Sequence, residues 1–307
     1  MNLGYACINT ELSDRKIMTN RTMRRKTFDA RGLEYVSELS LLNVEDLKTI
    51  VEWNNKMGIK LFRLSSQIFP WSDEYKFSQL KDYKEITALM LEIGEIAKNG
   101  GQRLTMHPGP YNCLASPTQK VVEKTIRELN FHSEQFNMMG YEPSTHNKIN
   151  IHVGGAYGDK EGTLKRFCKN FHLLNEDTKK RLVVENDDSP NEYSIKDLYE
   201  GVYKVIGIPL TFDYFHHKFN TGDLNEEEAL KLAFTTWPEG VTQCCHYSES
   251  RRVEKLDESI RPQAHSDLIY NKIQTYGLNP DIVIEAKLKE QAIFKTQKPQ
   301  LILTHNK

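Results

Sequence analysis

The stretch Ile149-Asn150-Ile151-His152-Val153-Gly154-Gly155 decides the fold. It is a short, β-prone apolar run that closes on a metal-ligand type of side chain and then on glycines. Runs of this length recur along the chain: Leu3–Cys7, Ile59–Leu64, Arg103–Met106, Ile149–Val153, Arg181–Val184, Pro209–Phe212, Val241–Cys245 and Asp281–Ile284. Longer polar stretches with helical spacing lie between them. In Asn43–Met57 the residues Val44, Leu47, Ile50, Val51 and Met57 fall three, four and six apart, and Leu80–Ala97 carries Ile86, Leu89, Met90, Ile93 and Ile96. A third helix opens at Ser116-Pro117 and runs to Met139. Strands alternating with helices imply parallel pairing with helical crossovers. Eight such units predict an α/β protein of the closed (β/α)8 TIM-barrel class. An open doubly wound sheet is disfavoured, because no strand is followed by a glycine-rich phosphate fingerprint.

Length and composition agree. The chain has 307 residues, 41 Lys+Arg against 42 Asp+Glu, and 38% hydrophobic residues, which suits one barrel of about 250 residues with insertions. The expected organisation is a single domain over residues 1–292, with a basic excursion after the first strand at about 10–42 and a polar tail over 293–307. Near-neutral charge excludes a broadly basic nucleic-acid coat but not a local basic face such as Arg15, Lys16, Arg21, Arg24, Arg25 and Lys26. No run approaches the roughly 20 apolar residues of a membrane span, so no membrane partner is expected. Five cysteines without framework spacing argue against a disulfide scaffold. The expected setting is intracellular, cytoplasmic or nuclear, and not secreted.

The ends of the last six runs carry the chemistry. They finish in or near His107, His152, Glu185, Asp213 with His216 and His217, His246, and Glu285. In a barrel these ends meet at one mouth, where active sites of this class sit. Crowding so many ionisable groups costs several kcal/mol per uncompensated charge unless a cation is shared. Mixed imidazole and carboxylate donors suit zinc, manganese or iron better than calcium. With His265 the candidate ligands number eight, enough for two or three ions when one carboxylate bridges. Clustered divalent ions are an arrangement for displacement at phosphorus.

These residues resemble the UV damage endonucleases. The likeness is carried by Leu3-Gly4-Tyr5 with Cys7 and Asn9, Thr19-Asn20-Arg21-Thr22, and Phe62-Arg63-Leu64-Ser65-Ser66. It continues through Met106-His107-Pro108-Gly109, His152 to Gly158, Glu185-Asn186-Asp187, Asp213 to His217, and Glu285-Ala286-Lys287. The resemblance implies a repair enzyme that cuts damaged double-stranded DNA, as a monomer, with two to three divalent ions, manganese before zinc or magnesium. It implies one ion held by His107, His152 and Glu185. A second would be shared by Glu185 with Asp213, His246 and Glu285, and a third held by His216 and His265. Glu185 and Lys287 are the expected catalytic residues, and Tyr5, Asn9, Arg21, Tyr111 and His217 the expected DNA contacts. Two departures from the family pattern stand out: Cys244 where a lysine is common, and Pro110 beside Tyr111. The expected reaction is hydrolysis on the 5′ side of cyclobutane dimers, 6-4 photoproducts or abasic sites, leaving 3′-hydroxyl and 5′-phosphate ends. A plain apurinic endonuclease and a metal-dependent sugar isomerase or epimerase of the same barrel class are the alternatives.

Overall fold

Parallel strands in sequence order need a crossover after each one, and the chain supplies it with helices. The computed structural model describes residues 1–297. Its first half holds β1 (Leu3–Ala6), α1 (Thr10–Ser13), α2 (Arg25–Lys56), β2 (Leu61–Leu64), α3 (Tyr83–Asn99), β3 (Arg103–Met106), α4 (Gln119–Met138) and β4 (Ile149–Ile151). Next come α5 (Lys160–Phe171), α6 (Glu176–Arg181), β5 (Leu182–Glu185), α7 (Ile195–Leu198), α8 (Lys204–Ile206), β6 (Leu210–Thr211) and α9 (Tyr214–His217). The chain continues with α10 (Glu226–Phe234), β7 (Cys244–Tyr247), α11 (Arg251–Lys255), β8 (Asp281–Ile284) and α12 (Glu290–Gln297). The strands follow the order β6-β5-β4-β3-β2-β1-β8-β7, all parallel. The remaining seam, between β6 and β7, is joined by the Asp213–His246 bridge, where the His246 amide donates to the Phe212 carbonyl at 3.0 Å. Two of the expected ligands therefore sit on the closure of the barrel.

Side chains alternate across each strand. Ile149 and Ile151 face the helices and join the main core with Met106, Leu104, Leu182 and Val184. Asn150, on the other face, lies in register with Val183. The interior holds an apolar layer of Ala6, Leu61, Val183, Cys244 and Val283. Cys244 is thus fully buried among apolar neighbours. Toward the strand starts, Arg103 pairs with Asp281 at 3.1 Å. Toward the strand ends the inward positions become His107, His152, Glu185, Asp213, His246 and Glu285.

Several boundaries move. The seventh strand begins at Cys244, not Val241, because the Thr242 carbonyl is turned to Arg103 (2.8 Å). The excursion expected over 10–42 is largely helix: α2 starts at Arg25 and buries Val36 and Leu39 ahead of Val44, Leu47, Ile50 and Val51. Gly32, at φ +60°, kinks it, and the polar stretch Arg24–Gly32 has no apolar period to betray it. At the other end α12 crosses the expected boundary at 292, with Ala292 and Ile293 buried. The rest of the expected tail, 298–307, lies outside the described residues. No helix of the described residues is long and apolar enough to cross a membrane.

Candidate metal centre at the barrel mouth

Glu185, the last residue of β5, is the hub. It is 1% exposed. Its Oε2 lies 3.3 Å from His107 Nε2, 3.7 Å from His152 Nε2 and 3.0 Å from His246 Nδ1, and its Oε1 lies 3.5 Å from His216 Nδ1. Asn150 donates to Oε2 from behind. Four imidazoles thus converge on one carboxylate. Neighbouring groups fix each ring. His107 Nδ1 bonds the Pro108 carbonyl (3.0 Å), leaving Nε2 to the centre. His152 sets Nδ1 2.8 Å from Asp187, and His216 sets Nδ1 2.8 Å from the Asn186 carbonyl. Past His152, Gly154 holds φ +94°, and a Cβ there would stand 2.7 Å from Cys113 Sγ.

Asp213 caps α9: its Oδ1 accepts from the Phe215 and His216 amides, each at 2.7 Å. Its Oδ2 is buried without a hydrogen-bond partner, and His246 Nδ1 likewise makes no aligned hydrogen bond although Glu185 is near. A buried carboxylate oxygen and an imidazole nitrogen left over in one place are donors that suit a cation. Two groups offer one ligand atom each within 4.8 Å of one another: His107, His152 and Glu185, and Glu185, Asp213 and His246. They share Glu185. Glu285 approaches His246 Nδ1 at 3.4 Å and His265 Nδ1 at 3.9 Å, with His265 further out on the rim.

Electrostatics follow from this crowding. Burial pushes Asp213 up to about 7, aided by Glu185 and Glu285 against His216. Burial disfavours charge on His152, but Glu185 and Asp187 overcome it and lift the ring to about 10. His216 rises to about 9, because Asp213 and Glu185 outweigh its burial. Burial takes His246 down to about 3, with Lys148 assisting and Glu185 opposing. Glu185 itself stays ionised, since His246 and His152 overcome its desolvation. Protonated rings must release protons to become ligands. A divalent ion taken up by these groups is therefore expected to bind more tightly as pH rises, by up to about tenfold per unit for each proton displaced. Calorimetry in buffers of different ionisation enthalpy reads that release, and a pH-independent affinity would contradict it.

Other expected contacts fall elsewhere. Tyr5 is fully buried on the outer face of β1, against the Phe62 ring, and its hydroxyl donates to Asn54 (2.7 Å). Asn9 caps α1 and donates to the Tyr5 hydroxyl, so neither side chain reaches a ligand. Arg21 is consumed by Asp46 (2.6 Å) and the Met18 and Lys16 carbonyls, stapling the loop onto α2. His217 is 4% exposed and packs on Phe212. Lys287 points to solvent, and the lysine beside Glu285 is Lys289. The latter is half-buried, in a left-handed conformation (φ 49°), with its charge disfavoured by burial and pulled back by Cys7 and Glu285. Tyr111 stands 90% exposed, in the loop after β3.

Arg63, Lys148, Asn150 and Asp187 also belong to the site, though none of them is among the residues expected there. Arg63, on β2, forms an ion pair with Glu285. Lys148, Asn150 and His152 share one face at a period of two, and that period was the available signal.

Fold and site together define a (β/α)8-barrel protein with a histidine–carboxylate cluster at the C-terminal mouth of its strands. The sequence profile of the UV-endonuclease UvdE family matches residues 1–304, and the chain belongs to that family. It is 38% identical over 303 residues to the UV-damage endonuclease of Schizosaccharomyces pombe, covering 95% of this chain but 49% of the relative, about half its length. The crystal structure of SacUVDE superposes with a TM-score of 0.82 at 32% identity, covering 96% of both chains. D-psicose 3-epimerase from Clostridium cellulolyticum H10 shares the fold alone, with a TM-score of 0.56 at 13% identity over 93% of this chain and 85% of that one.

Proposed function

We propose that this protein is a metal-dependent endonuclease that hydrolyses the phosphodiester on the 5′ side of UV photolesions in duplex DNA, leaving 3′-hydroxyl and 5′-phosphate ends. The observation that carries this is the pair of ligand groups joined at Glu185 in a chain of the UvdE family. His107, His152 and Glu185 would hold one divalent ion, and Glu185, Asp213 and His246, with Glu285 alongside, a second. His216 and His265 are the candidates for a third. Bound there, manganese would supply a Lewis acid for the scissile phosphate and an activated water.

The chain's own groups do the rest. Asn150 and the four imidazoles orient Glu185. Asp187 and the Asn186 carbonyl hold the rings of His152 and His216 in place. Lys289, half-buried within reach of the Glu285 charge, replaces Lys287 as the lysine proposed to meet a DNA phosphate. Tyr111 supplies an exposed ring that stacks where a photolesion has weakened pairing, since a distorted step costs less to open than a normal one. We infer that the protein acts inside the cell on damaged duplex DNA, as a monomer.

The test is to incubate manganese-loaded protein with UV-irradiated and unirradiated plasmid, and with duplexes carrying a cyclobutane dimer or an abasic site. Nicking confined to the abasic duplex would favour the apurinic reading, and turnover of a ketose without nicking would favour the epimerase reading. Tyr111→Ala is expected to weaken lesion-duplex binding by about 1–3 kcal/mol, with an unchanged melting temperature because the ring buries little. Wild-type discrimination between lesion and intact DNA in this variant would remove Tyr111 from the account.

A further inference from the structure

Lys148 is the one fully buried lysine among the described residues. It lies outside the ligand set, immediately before β4 and on the face that carries Asn150 and His152. Its Nζ stands 2.9 Å from Thr211 Oγ1, 3.1 Å from Asn150 Oδ1, 3.1 Å from His246 Nε2 and 3.4 Å from the Cys244 carbonyl. Three strands, β4, β6 and β7, thus converge on one nitrogen in the barrel interior. A buried amine is tolerated only when its hydrogen bonds are made, and two of these are made by groups that in turn touch the candidate centre, Asn150 and His246.

Two arms run from Nζ to the mouth. Asn150 offers an amide whose ends differ only in hydrogen bonding. With Nζ at Oδ1, its Nδ2 is directed to Glu185 Oε2, where it donates. The second arm is direct: Nζ engages His246 Nε2, which turns Nδ1 toward Glu185 (3.0 Å) and Glu285 (3.4 Å). Whichever atom carries the shared proton, the ring plane is fixed. Groups that orient ligands from behind commonly govern metal affinity by 10–100-fold.

We propose that Lys148 is a positioning residue of the candidate metal centre, acting on Glu185 through Asn150 and on the ring of His246 directly. This rests on reading the mouth as a metal site. The test is Mn2+ binding to the full chain, by calorimetry and by electron paramagnetic resonance, for wild type, Lys148→Met, Asn150→Leu, the double variant and Ile93→Ala. Lys148→Met is expected to weaken Mn2+ binding by about 10–100-fold. Asn150→Leu should weaken it too but cost less in the Lys148→Met background than in the wild type, the mark of a partly shared route. Ile93→Ala opens a cavity in the remote core of α3, so it lowers the melting temperature and leaves Mn2+ affinity alone. If Lys148→Met does not accumulate as folded protein, the near-isosteric Thr211→Val removes one partner of Nζ and is expected to give a smaller loss of the same sign. Unchanged affinity in the folded variants, or losses that multiply in the double variant, would overturn the proposal while the metal reading stood. Failure of the wild type to bind Mn2+ would overturn both.

Discussion

Replacing Glu185 with Gln is expected to lower nicking of UV-irradiated plasmid by about 10³-fold or more, equivalent to roughly 4 kcal/mol of barrel-mouth electrostatics. Glu185 is the only carboxylate shared by both ligand groups. Three imidazole nitrogens lie 3.0–3.7 Å from its Oε2. Glutamine preserves the shape but removes the charge and, with its carbonyl kept at Oε2 for Asn150, sets an N–H₂ donor toward His216. One carboxylate that serves two groups cannot be replaced by either alone, so the Mn2+ stoichiometry is expected to fall with the rate. The barrel should remain folded, because the Asn150 amide retains an acceptor in the glutamine carbonyl and nothing moves in volume. The rate, the stoichiometry and the circular dichroism of one preparation check this together. A folded E185Q protein that nicks at a near wild-type rate would remove Glu185 from the centre of the mechanism.

The parts of the molecule that were legible before the structure share a physical cause. A strand buried on both faces reads as an apolar run, and a ligand at its end breaks that run abruptly. His107, His152, Glu185, Asp213, His246 and Glu285 therefore announced themselves, and the closed barrel brings them together. His265 was harder to place, because it sits in the long β7–β8 connection, 3.9 Å from Glu285 and partly exposed.

Misplaced residues fail for equally physical reasons. Tyr5 was assigned to DNA by resemblance, yet alternation puts it opposite Gly4 and Ala6 and so against the helices. Arg21 lies in a basic text, but text does not reveal that Asp46 and two carbonyls consume the guanidinium. Lys289 rather than Lys287 lies beside Glu285, in a left-handed turn that no periodicity registers. Polar residues inside strands were the least visible. Arg103, Lys148 and Asn150 occur within or beside short β-prone runs, and only the closed interior brings Arg103 to Asp281 and Lys148 to Thr211 and His246.

Arg103 shows how much of the barrel's stability hangs on one such residue. It is 3% exposed, and its guanidinium donates to Asp281 (3.1 Å) and to the carbonyls of His146 (2.7 Å), Thr242 (2.8 Å) and Thr145 (3.0 Å). It ties β3 to the approach of β4, to the entry of β7 and to the first residue of β8. Asp281 also accepts from the Asn2 amide and side chain, at 3.2 and 2.9 Å, so the chain's start is fastened to the same floor. Arg103→Met fills the space but leaves a buried carboxylate without its cation and three carbonyls without donors. Breaking a buried pair from one side costs about 3–5 kcal/mol, and the stranded carbonyls add to it. The urea midpoint is expected to fall accordingly. Asp281→Asn keeps a carbonyl for one of the two, Arg103 at Oδ2 or Asn2 at Oδ1, and turns an N–H₂ toward the other. Since Arg103 still has its three carbonyl acceptors, this substitution should cost less. The ligand cluster lies at the opposite ends of the strands, so whatever fraction of Arg103→Met remains folded is expected to bind Mn2+ with wild-type affinity. A variant as stable as the wild type would mean that the floor of the barrel is held by its apolar layer alone, with the Arg103–Asp281 pair a passenger.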